Sequence, residues 1–256
     1  MAIPVEGPAT PVEPRDAATV VLLRDGEAGL EVFLQRRVAA MAFVPGTTVF
    51  PGGGVDARDA DASVSWAGPP AADWADWFSA TESAARALVC AAVRETFEES
   101  GVLLAGTRDA VVADTAQYAH VREALVSREV SLAGFLAGHG LTLRADLLRP
   151  LAHWITPVQE KRRYDTRFFV AVLPEGQDAD GANTETESSG WQRPEDALAD
   201  GDAGRSMLMP PTRHTLTGLT GFTTAAEAFA AERKIRPVLP TLVRDGDKVR
   251  AIVEDA

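Results

Sequence analysis

The sequence is organised around one stretch, Arg94-Glu95-Thr96-Phe97-Glu98-Glu99-Ser100-Gly101-Val102. In a helix, Glu95, Glu98 and Glu99 occupy positions i, i+3 and i+4, which share one face. Like charges at these spacings destabilise a helix by roughly 0.2–0.5 kcal/mol per pair unless a cation offsets them. Mg²⁺ and Mn²⁺ prefer carboxylate oxygens. The face is therefore a metal site or a solvated acidic surface, and the spacing alone leaves both open.

The helix that carries this face is predicted by its two ends and its apolar period. Ser79, with Glu82 three residues later, forms a capping-box pattern. Apolar residues at helical spacing follow from Leu88 to Phe97. Gly101 ends the helix, because the residue after a helix commonly adopts a left-handed conformation that glycine tolerates. We expect one helix from about residue 79 to residue 101.

Length, charge and cysteine content restrict the class of protein. A chain of 256 residues predicts one large domain or one domain with insertions. A net charge of -12 argues against a general binder of nucleic acid or of anionic membranes. The single cysteine, Cys90, allows no internal disulfide, and neither a secretory signal nor a membrane-spanning apolar run is recognisable. We therefore expect a cytoplasmic protein.

Apolar segments before the acidic stretch predict a sheet. Residues 17–23 and 30–34 flank turn-forming residues and indicate a hairpin. Residues 47–50 indicate a short strand that runs into Pro51 and three glycines at 52–54. Glycines after a strand allow the backbone to approach a ligand closely, but they also occur in plain turns.

The remaining segments alternate between strand and helix patterns and predict an α/β domain. Residues 55–79 are an acidic segment with three tryptophans and resemble an insertion with a short helix near its end. The predicted organisation is a flexible N-terminal arm at 1–15 and a single domain at 16–256, with that insertion at 55–79, a helical insertion at 114–139 and C-terminal helices at 211–235.

Gly53 and residues 94–102 together resemble the Nudix box, G-x5-E-x7-R-E-U-x-E-E-x-G-U, in which U is an apolar residue. The second half matches, with Thr96 where an apolar residue is usual. The first half is displaced: Gly53 stands 41 positions before Arg94 (94 − 53), against 14 in the standard box, so 27 residues are inserted. The position of the first box glutamate, eight before Arg94, holds Arg86.

Further motifs are similar to one subgroup, the coenzyme A diphosphatases of the mammalian peroxisomal type. These motifs are the long insertion, V-P-G-T-T-V-F-P-G-G at 44–53, W-I-T-P at 154–157 and R-R-Y-D-T-R-F-F at 162–169. Ala42 stands where the bacterial coenzyme A subfamily has an arginine. The resemblance implies a Nudix-type α/β/α sandwich with a mixed β-sheet, decorated by helical insertions and C-terminal helices.

The resemblance also implies a reaction, hydrolysis of the diphosphate bond in a small nucleoside diphosphate derivative with Mg²⁺ or Mn²⁺ as cofactor. Coenzyme A or acyl-CoA, cut to 3′,5′-ADP and (acyl-)4′-phosphopantetheine, is the favoured substrate, with ADP-ribose and NADH as alternatives. A non-catalytic Nudix domain that senses a ligand or binds a partner is the alternative of a different class, and Arg86 favours it. A homodimer is a further expectation.

By the same resemblance, individual residues receive roles. The family arginine orients the acidic side chains of the helix, so Arg94 needs a carboxylate partner, and Glu82 or an aspartate of the insertion remain open for it. A general base is expected on the loop 174–188, where Glu185 and Glu187 are candidates and Glu187 is favoured. The implied site residues are Glu98, Glu99, Arg94 and Glu187 for catalysis, Glu95, Glu98 and Glu99 as metal ligands, and Gly52, Gly53, Arg37 and Arg163 for substrate binding.

Overall fold

A mixed β-sheet is the centre of the fold in the computed structural model, which describes residues 3–38, 46–182, 186–246 and 248–253. In chain order the strands are β1 (Ile3–Pro4), β2 (Arg15–Gly26), β3 (Gly29–Arg37), β4 (Thr47–Val49), β5 (Gly52–Gly54), β6 (Trp66–Ala67), β7 (Ala105–Gly106), β8 (Thr142–Arg144), β9 (Arg149–Ile155), β10 (Tyr164–Val172), β11 (Thr186–Gln192), β12 (Met207–Leu208), β13 (Pro237–Val238), β14 (Thr241–Asp245) and β15 (Lys248–Ile252). The α-helices are α1 (Ala71–Phe78), α2 (Glu82–Ser100), α3 (Ala119–Val126), α4 (Leu132–Gly138), α5 (Pro194–Asp202), α6 (Pro210–Leu219) and α7 (Ala225–Ala230).

The main sheet combines parallel and antiparallel pairs. Its order is β12-β4-β3-β2-β10-β9-β13. Two further strands lie outside this order: β11 pairs with β3, and β5 pairs with β2. The central strands β2 and β10 run parallel, whereas β3 is antiparallel to β2 and β9 is antiparallel to β10. The hairpin expected at 17–34 is thus confirmed as β2 and β3.

Both faces of the sheet are covered, which accounts for the near-continuous apolar run in β2. Val20 and Leu22 point into a core shared with α1, α2, α3 and α4. Val21 and Leu23 point into a second core formed with α5, α6 and α7. The molecule is therefore an α/β/α sandwich with a mixed sheet, as expected.

The start of α2 differs from the sequence prediction. Ser79 does not cap α2: it is the left-handed residue that ends α1, and its N–H donates to the Ala75 and Asp76 carbonyls. The N-cap of α2 is Thr81, whose hydroxyl accepts from the Ala84 N–H. The capping-box assignment was wrong because α1 ends at the residue that the pattern used.

Residues 3–5, within the segment 1–15 that we expected to form a flexible arm, make backbone contacts with β14. Ile3 and Pro4 pair with β14, and the Val5 N–H donates to the Leu242 carbonyl at 3.1 Å. The tail, where one strand was expected, forms the hairpin β14–β15. Among the helices that the structure describes, none has the length and apolarity needed to span a membrane.

Candidate metal and diphosphate site

Helix α2 brings the glutamates of the acidic stretch against the glycine strand. It packs on β2 and on β5, and β5 pairs with β2 along residues 17–19. The Gly52 N–H donates to the Glu99 carboxylate at 2.9 Å. The Gln35 side chain holds the end of the helix by donating to the Glu99 carbonyl at 2.9 Å. The two halves of the split motif are therefore adjacent in space.

The glycines of β5 are required by close packing. A Cβ at position 52 would lie 2.4 Å from the Ala18 carbonyl oxygen. A Cβ at position 53 would lie 2.6 Å from the Glu95 carboxylate. Gly53 thus leaves space for a carboxylate, and Gly52 orients one. The Gly52 N–H, which we expected to face the substrate, donates to Glu99 instead, because β5 presents it to the helix.

Arg94 is the centre of the polar network on α2, and its side chain is only 10% exposed. Its guanidinium donates from Nη1 to Glu95 at 2.7 Å and to Glu98 at 3.3 Å. Nη2 also donates to the Gly54 carbonyl at 2.9 Å. Arg94 therefore contacts both the acidic face and the glycine strand, as the resemblance implies for an orienting residue.

The carboxylate partner of Arg94 is Asp59. Its two oxygens accept from Nε at 3.0 Å and from Nη2 at 2.8 Å, a bidentate pair. The Asp59 side chain is 2% exposed, whereas Glu82 is exposed at the start of α2. Of the two alternatives that the sequence left open, the structure thus has the aspartate of the insertion.

A sequence signal for Asp59 exists. Asp59 lies in a 3-10 helix, Ala57–Ala60, whose N-cap is Asp56. The Asp59 carboxylate accepts from the Asp56 N–H at 2.8 Å, so the spacing D-x-x-D is a capping box. The spacing from the glycine strand is a more specific signal: Asp59 lies six positions after Gly53 (59 − 53), which is the acidic position of G-x5-E when that element is counted forward from the glycine.

Burial disfavours the charged form of two glutamates at the site. Burial raises the pKa of Glu95 to about 7, and the charge of Arg94 only partly offsets this. Burial also raises the pKa of Glu98 above its ordinary value, again against Arg94. The pKa of Arg94 is raised in turn, because its hydrogen bonds to Asp59 and the nearby carboxylates outweigh the effect of burial.

A divalent cation fits this donor set. Glu95, Glu98 and Glu99 carry hard oxygen donors on one rigid helix. Glu95 and Glu98, together with Asp59, pair with the buried Arg94, whereas Glu99 accepts from the Gly52 N–H. Across the described residues, no three His, Cys, Asp or Glu side chains are grouped closely enough to form a complete metal site. The three carboxylates lie on one helix, but each accepts a hydrogen bond from the protein: Glu95 and Glu98 from Arg94, and Glu99 from the Gly52 N–H.

Thr96 and Arg86, the two departures from the family pattern, both have local explanations. Thr96 is fully buried, and its hydroxyl donates to the Ala92 carbonyl at 2.7 Å, which satisfies it at an apolar position. The Arg86 guanidinium lies over the Trp66 ring, 5.0 Å from its centroid. Trp66 belongs to the insertion, so Arg86 packs against the insertion and not against Arg94.

Two further predicted residues lie on β3 and β11. Glu187 is in a strand and not in a loop, because β11 pairs with β3 from Thr186 onward. Its side chain is 56% exposed and forms an ion pair with Arg36 at 3.4 Å. Arg37 is half-buried at the end of β3, opposite Thr186. Glu185 lies outside the described residues.

Arg163, which was predicted to bind substrate, has structural contacts. It is buried, and it donates to the Thr156 carbonyl at 3.0 Å and to the Val12 carbonyl at 2.6 Å. Arg163 therefore ties the N-terminal segment to the end of β9. Arg167 is buried as well and pairs with Asp16 and Asp165, which fastens β10 to β2.

Comparisons with known proteins give one family. Residues 80–219 match the family model of the NUDT19 Nudix domain. The chain is 29% identical to putative nudix hydrolase 7 of Caenorhabditis elegans, over 80% of this chain and 60% of that protein. It is 25% identical to acyl-coenzyme A diphosphatase NUDT19 of Xenopus laevis, over 75% of this chain and 60% of that protein. The chain thus spans about 60% of the length of these relatives.

The crystal structure of a NUDIX hydrolase from Alicyclobacillus acidocaldarius is similar over most of both chains. The TM-score is 0.73 at 28% identity, with 87% of this chain and 98% of that chain covered.

Proposed function

The chain belongs to the Nudix hydrolases, in the family of the NUDT19 Nudix domain, and from this premise we propose that it is a metal-dependent diphosphatase. The substrate class is a small nucleoside diphosphate derivative. One observation carries the proposal: the glutamates of α2 lie against the glycines of β5, although the insertion separates the two elements in sequence. These residues, with the arginine that contacts two of the glutamates, are Glu95, Glu98, Glu99, Gly52, Gly53 and Arg94.

The chemistry assigned to these residues follows from their placement. Glu95, Glu98 and Glu99 would hold Mg²⁺ or Mn²⁺ from the rigid helix α2. The bound ion supplies charge neutralisation on the phosphoryl oxygens and a lowered pKa of water. Arg94 holds two of the carboxylates in place through Nη1. Gly53 leaves the space in which Glu95 stands.

Coenzyme A or acyl-CoA is the proposed substrate, cleaved to 3′,5′-ADP and (acyl-)4′-phosphopantetheine. The likeness to a protein named acyl-coenzyme A diphosphatase supports it, together with the motifs at 44–53 and 162–169. ADP-ribose and NADH are the alternatives. Arg37, half-buried at the end of β3, is the proposed phosphate-binding residue, and Glu187 is the proposed general base.

A non-catalytic domain is the alternative of a different class. The feature that favoured it was Arg86 at the position of the first box glutamate. Asp59 provides Arg94 with a carboxylate in that glutamate's place, so the substitution leaves the orienting arginine paired. This favours the enzyme over the sensor.

The experiment is a hydrolysis panel. The purified chain is incubated with coenzyme A, acetyl-CoA, ADP-ribose or NADH, with Mg²⁺, with Mn²⁺ or with EDTA, and the products are separated by chromatography. We expect metal-dependent release of 3′,5′-ADP from the coenzyme A substrates. If ADP-ribose or NADH is hydrolysed and the coenzyme A substrates are not, the alternative substrate is supported. Binding of a panel member without turnover would support the sensor instead.

A further inference from the structure

We propose that Arg128, in the turn that follows α3, binds the diphosphate group of the substrate at the edge of the metal site. This inference rests on the proposed diphosphatase function and adds to it a residue of the helical insertion at 114–139. Arg128 lies 26 positions after Val102 (128 − 102), beyond the end of the split motif.

The backbone of Arg128 is left-handed, with φ 64. Helix α3 ends there in a Schellman motif: the Arg128 N–H donates to the Leu125 carbonyl at 2.9 Å, and the Glu129 N–H donates to the Ala124 carbonyl at 2.9 Å. Glycine is the usual residue at this position, because a Cβ is disfavoured in the left-handed conformation. Non-glycine residues held in such conformations cluster at ligand-binding sites. An arginine at this position therefore points to a role for its side chain.

The turn is fixed against the metal site from two sides. Arg58, in the 3-10 helix Ala57–Ala60, donates from Nη1 to the Arg128 carbonyl at 3.1 Å. Helix α3 is itself attached to the end of α2, because Nε of Arg122 donates to the Glu98 carbonyl at 2.9 Å. The fold therefore holds Arg128 in a set position relative to Glu98.

The side chain of Arg128 lies beside the acidic groups of the site and is 76% exposed. Its Nε lies 3.9 Å from the Asp56 carboxylate. Burial raises the pKa of Glu98, and the positive charges of Arg94 and of Arg128 act against this increase. Arg128 is thus an exposed cation close to a proposed metal-binding carboxylate.

The ion pair with Asp56 does not account for Arg128. Both Asp56 oxygens already accept from the Arg58 guanidinium, at 3.1 and 3.2 Å. An exposed ion pair such as that of Arg128 contributes little to stability. Three other arginines near the site are held by an aspartate, and Arg128 is more exposed than any of them. These pairs are Arg94 with Asp59, Arg58 with Asp56, and Arg122 with Asp180.

The chemistry of the guanidinium indicates which group Arg128 binds. Its planar fork matches two oxygens of a phosphate group and binds them bidentately. The chain has a net charge of -12, so an anionic substrate that approaches the carboxylates of α2 needs a local positive charge. The diphosphate is the anionic group that the proposed reaction brings to Glu98, and we therefore assign it to Arg128.

The test compares Arg128→Gly with Arg108→Gly. Arg108 is exposed in the loop after β7, so its variant removes the same charge elsewhere. The probe is α,β-methylene-ADP, a nucleoside diphosphate whose bridge resists hydrolysis, and its Kd is measured by isothermal titration with Mg²⁺. We expect Arg128→Gly to raise this Kd, and to lower kcat/KM for coenzyme A, by about 10–100-fold, because a charged hydrogen-bond donor is lost. Arg108→Gly should match the original protein.

Two further measurements exclude a structural role. Because glycine suits the left-handed position, Arg128→Gly should unfold at the same or a higher urea concentration than the original protein. Its Mn²⁺ affinity without nucleotide should be unchanged or higher, because a positive charge near Glu98 is removed. An unchanged Kd for the analogue in Arg128→Gly overturns the proposal. So does an equal rise in Arg108→Gly, or a matching loss of Mn²⁺ affinity or of stability in Arg128→Gly.

The outcomes separate this inference from the proposed function. If the original chain binds the analogue but hydrolyses no panel substrate, the diphosphatase fails while the Kd comparison still decides the role of Arg128. If the original chain hydrolyses coenzyme A and Arg128→Gly binds the analogue equally well, the diphosphatase stands and the role of Arg128 is overturned.

Discussion

The carboxylate of Glu99 accepts a hydrogen bond from the Gly52 N–H at 2.9 Å, although 47 residues separate the two in sequence. This contact joins the glycine strand β5 to the C-terminal part of α2. The strand and the helix are therefore in contact although the insertion lies between them in sequence. The integrity of the site should therefore depend on the small size of the β5 glycines.

Gly53→Ala is expected to displace the Glu95 carboxylate, because the added Cβ would lie 2.6 Å from it. A displacement of about 1 Å in an active site can lower kcat by about 100-fold. Gly54→Ala is the matched control, since a Cβ there meets nothing within 4 Å. Both variants are compared by kcat under saturating Mg²⁺ and by thermal unfolding. Equal kcat in the two variants would mean that Glu95 needs no space at Gly53.

The two residues at the α1–α2 junction should respond in opposite ways. Ser79 has φ 52 and is exposed, so Ser79→Gly should raise the free energy of unfolding by about 0.5–1 kcal/mol through relief of backbone strain. Thr81→Ala should lower it by about 1 kcal/mol through loss of the cap. Urea denaturation measures both. If Ser79→Gly destabilised and Thr81→Ala did not, Ser79 would be the true cap.

Variants of Arg163 and of its neighbour Arg162 test whether Arg163 stabilises the fold or binds the substrate. Arg163→Met should lower the free energy of unfolding by roughly 2–4 kcal/mol, because two charged hydrogen bonds to the Thr156 and Val12 carbonyls are lost. KM for the substrate should stay unchanged. Arg162 is exposed, and Arg162→Met should leave stability unaltered. A higher KM at full stability in Arg163→Met would restore Arg163 as a substrate ligand.

The parts of the molecule that the sequence predicted are those with local signals. Helix α2 has an apolar period of helical spacing, the hairpin β2–β3 has turn-forming residues between its strands, and the glycine strand has three consecutive glycines. The sandwich follows once those elements are arranged as in a Nudix domain. The glutamates proposed to bind metal were predicted from spacing within one helix together with the family resemblance. Two of them, Glu95 and Glu98, accept hydrogen bonds from Arg94.

The parts that the sequence did not decide depend on distant packing. Glu82 and the aspartates of the insertion were open as partners for Arg94, and the fold of the insertion places Asp59 against the Nε–Nη2 edge of the guanidinium. Glu187 lies in β11 at a shift of register between Thr186 and Ser188, and the pairing of β11 with β3 is marked by no local pattern. Ser79 and Thr81 are both good caps, and the end of α1 decides between them.

Glu98 and Glu99 carry the central claim, that α2 presents a metal-dependent hydrolytic site. The most direct measurement is the rate of Mg²⁺-dependent 3′,5′-ADP release from coenzyme A by the original chain, by Glu98→Gln and by Glu99→Gln, at matched folded concentrations. We predict activity in the original chain that EDTA abolishes, and a loss of at least about 100-fold in each variant, because a neutral amide replaces a metal-binding carboxylate. Unchanged turnover in both variants would contradict the account.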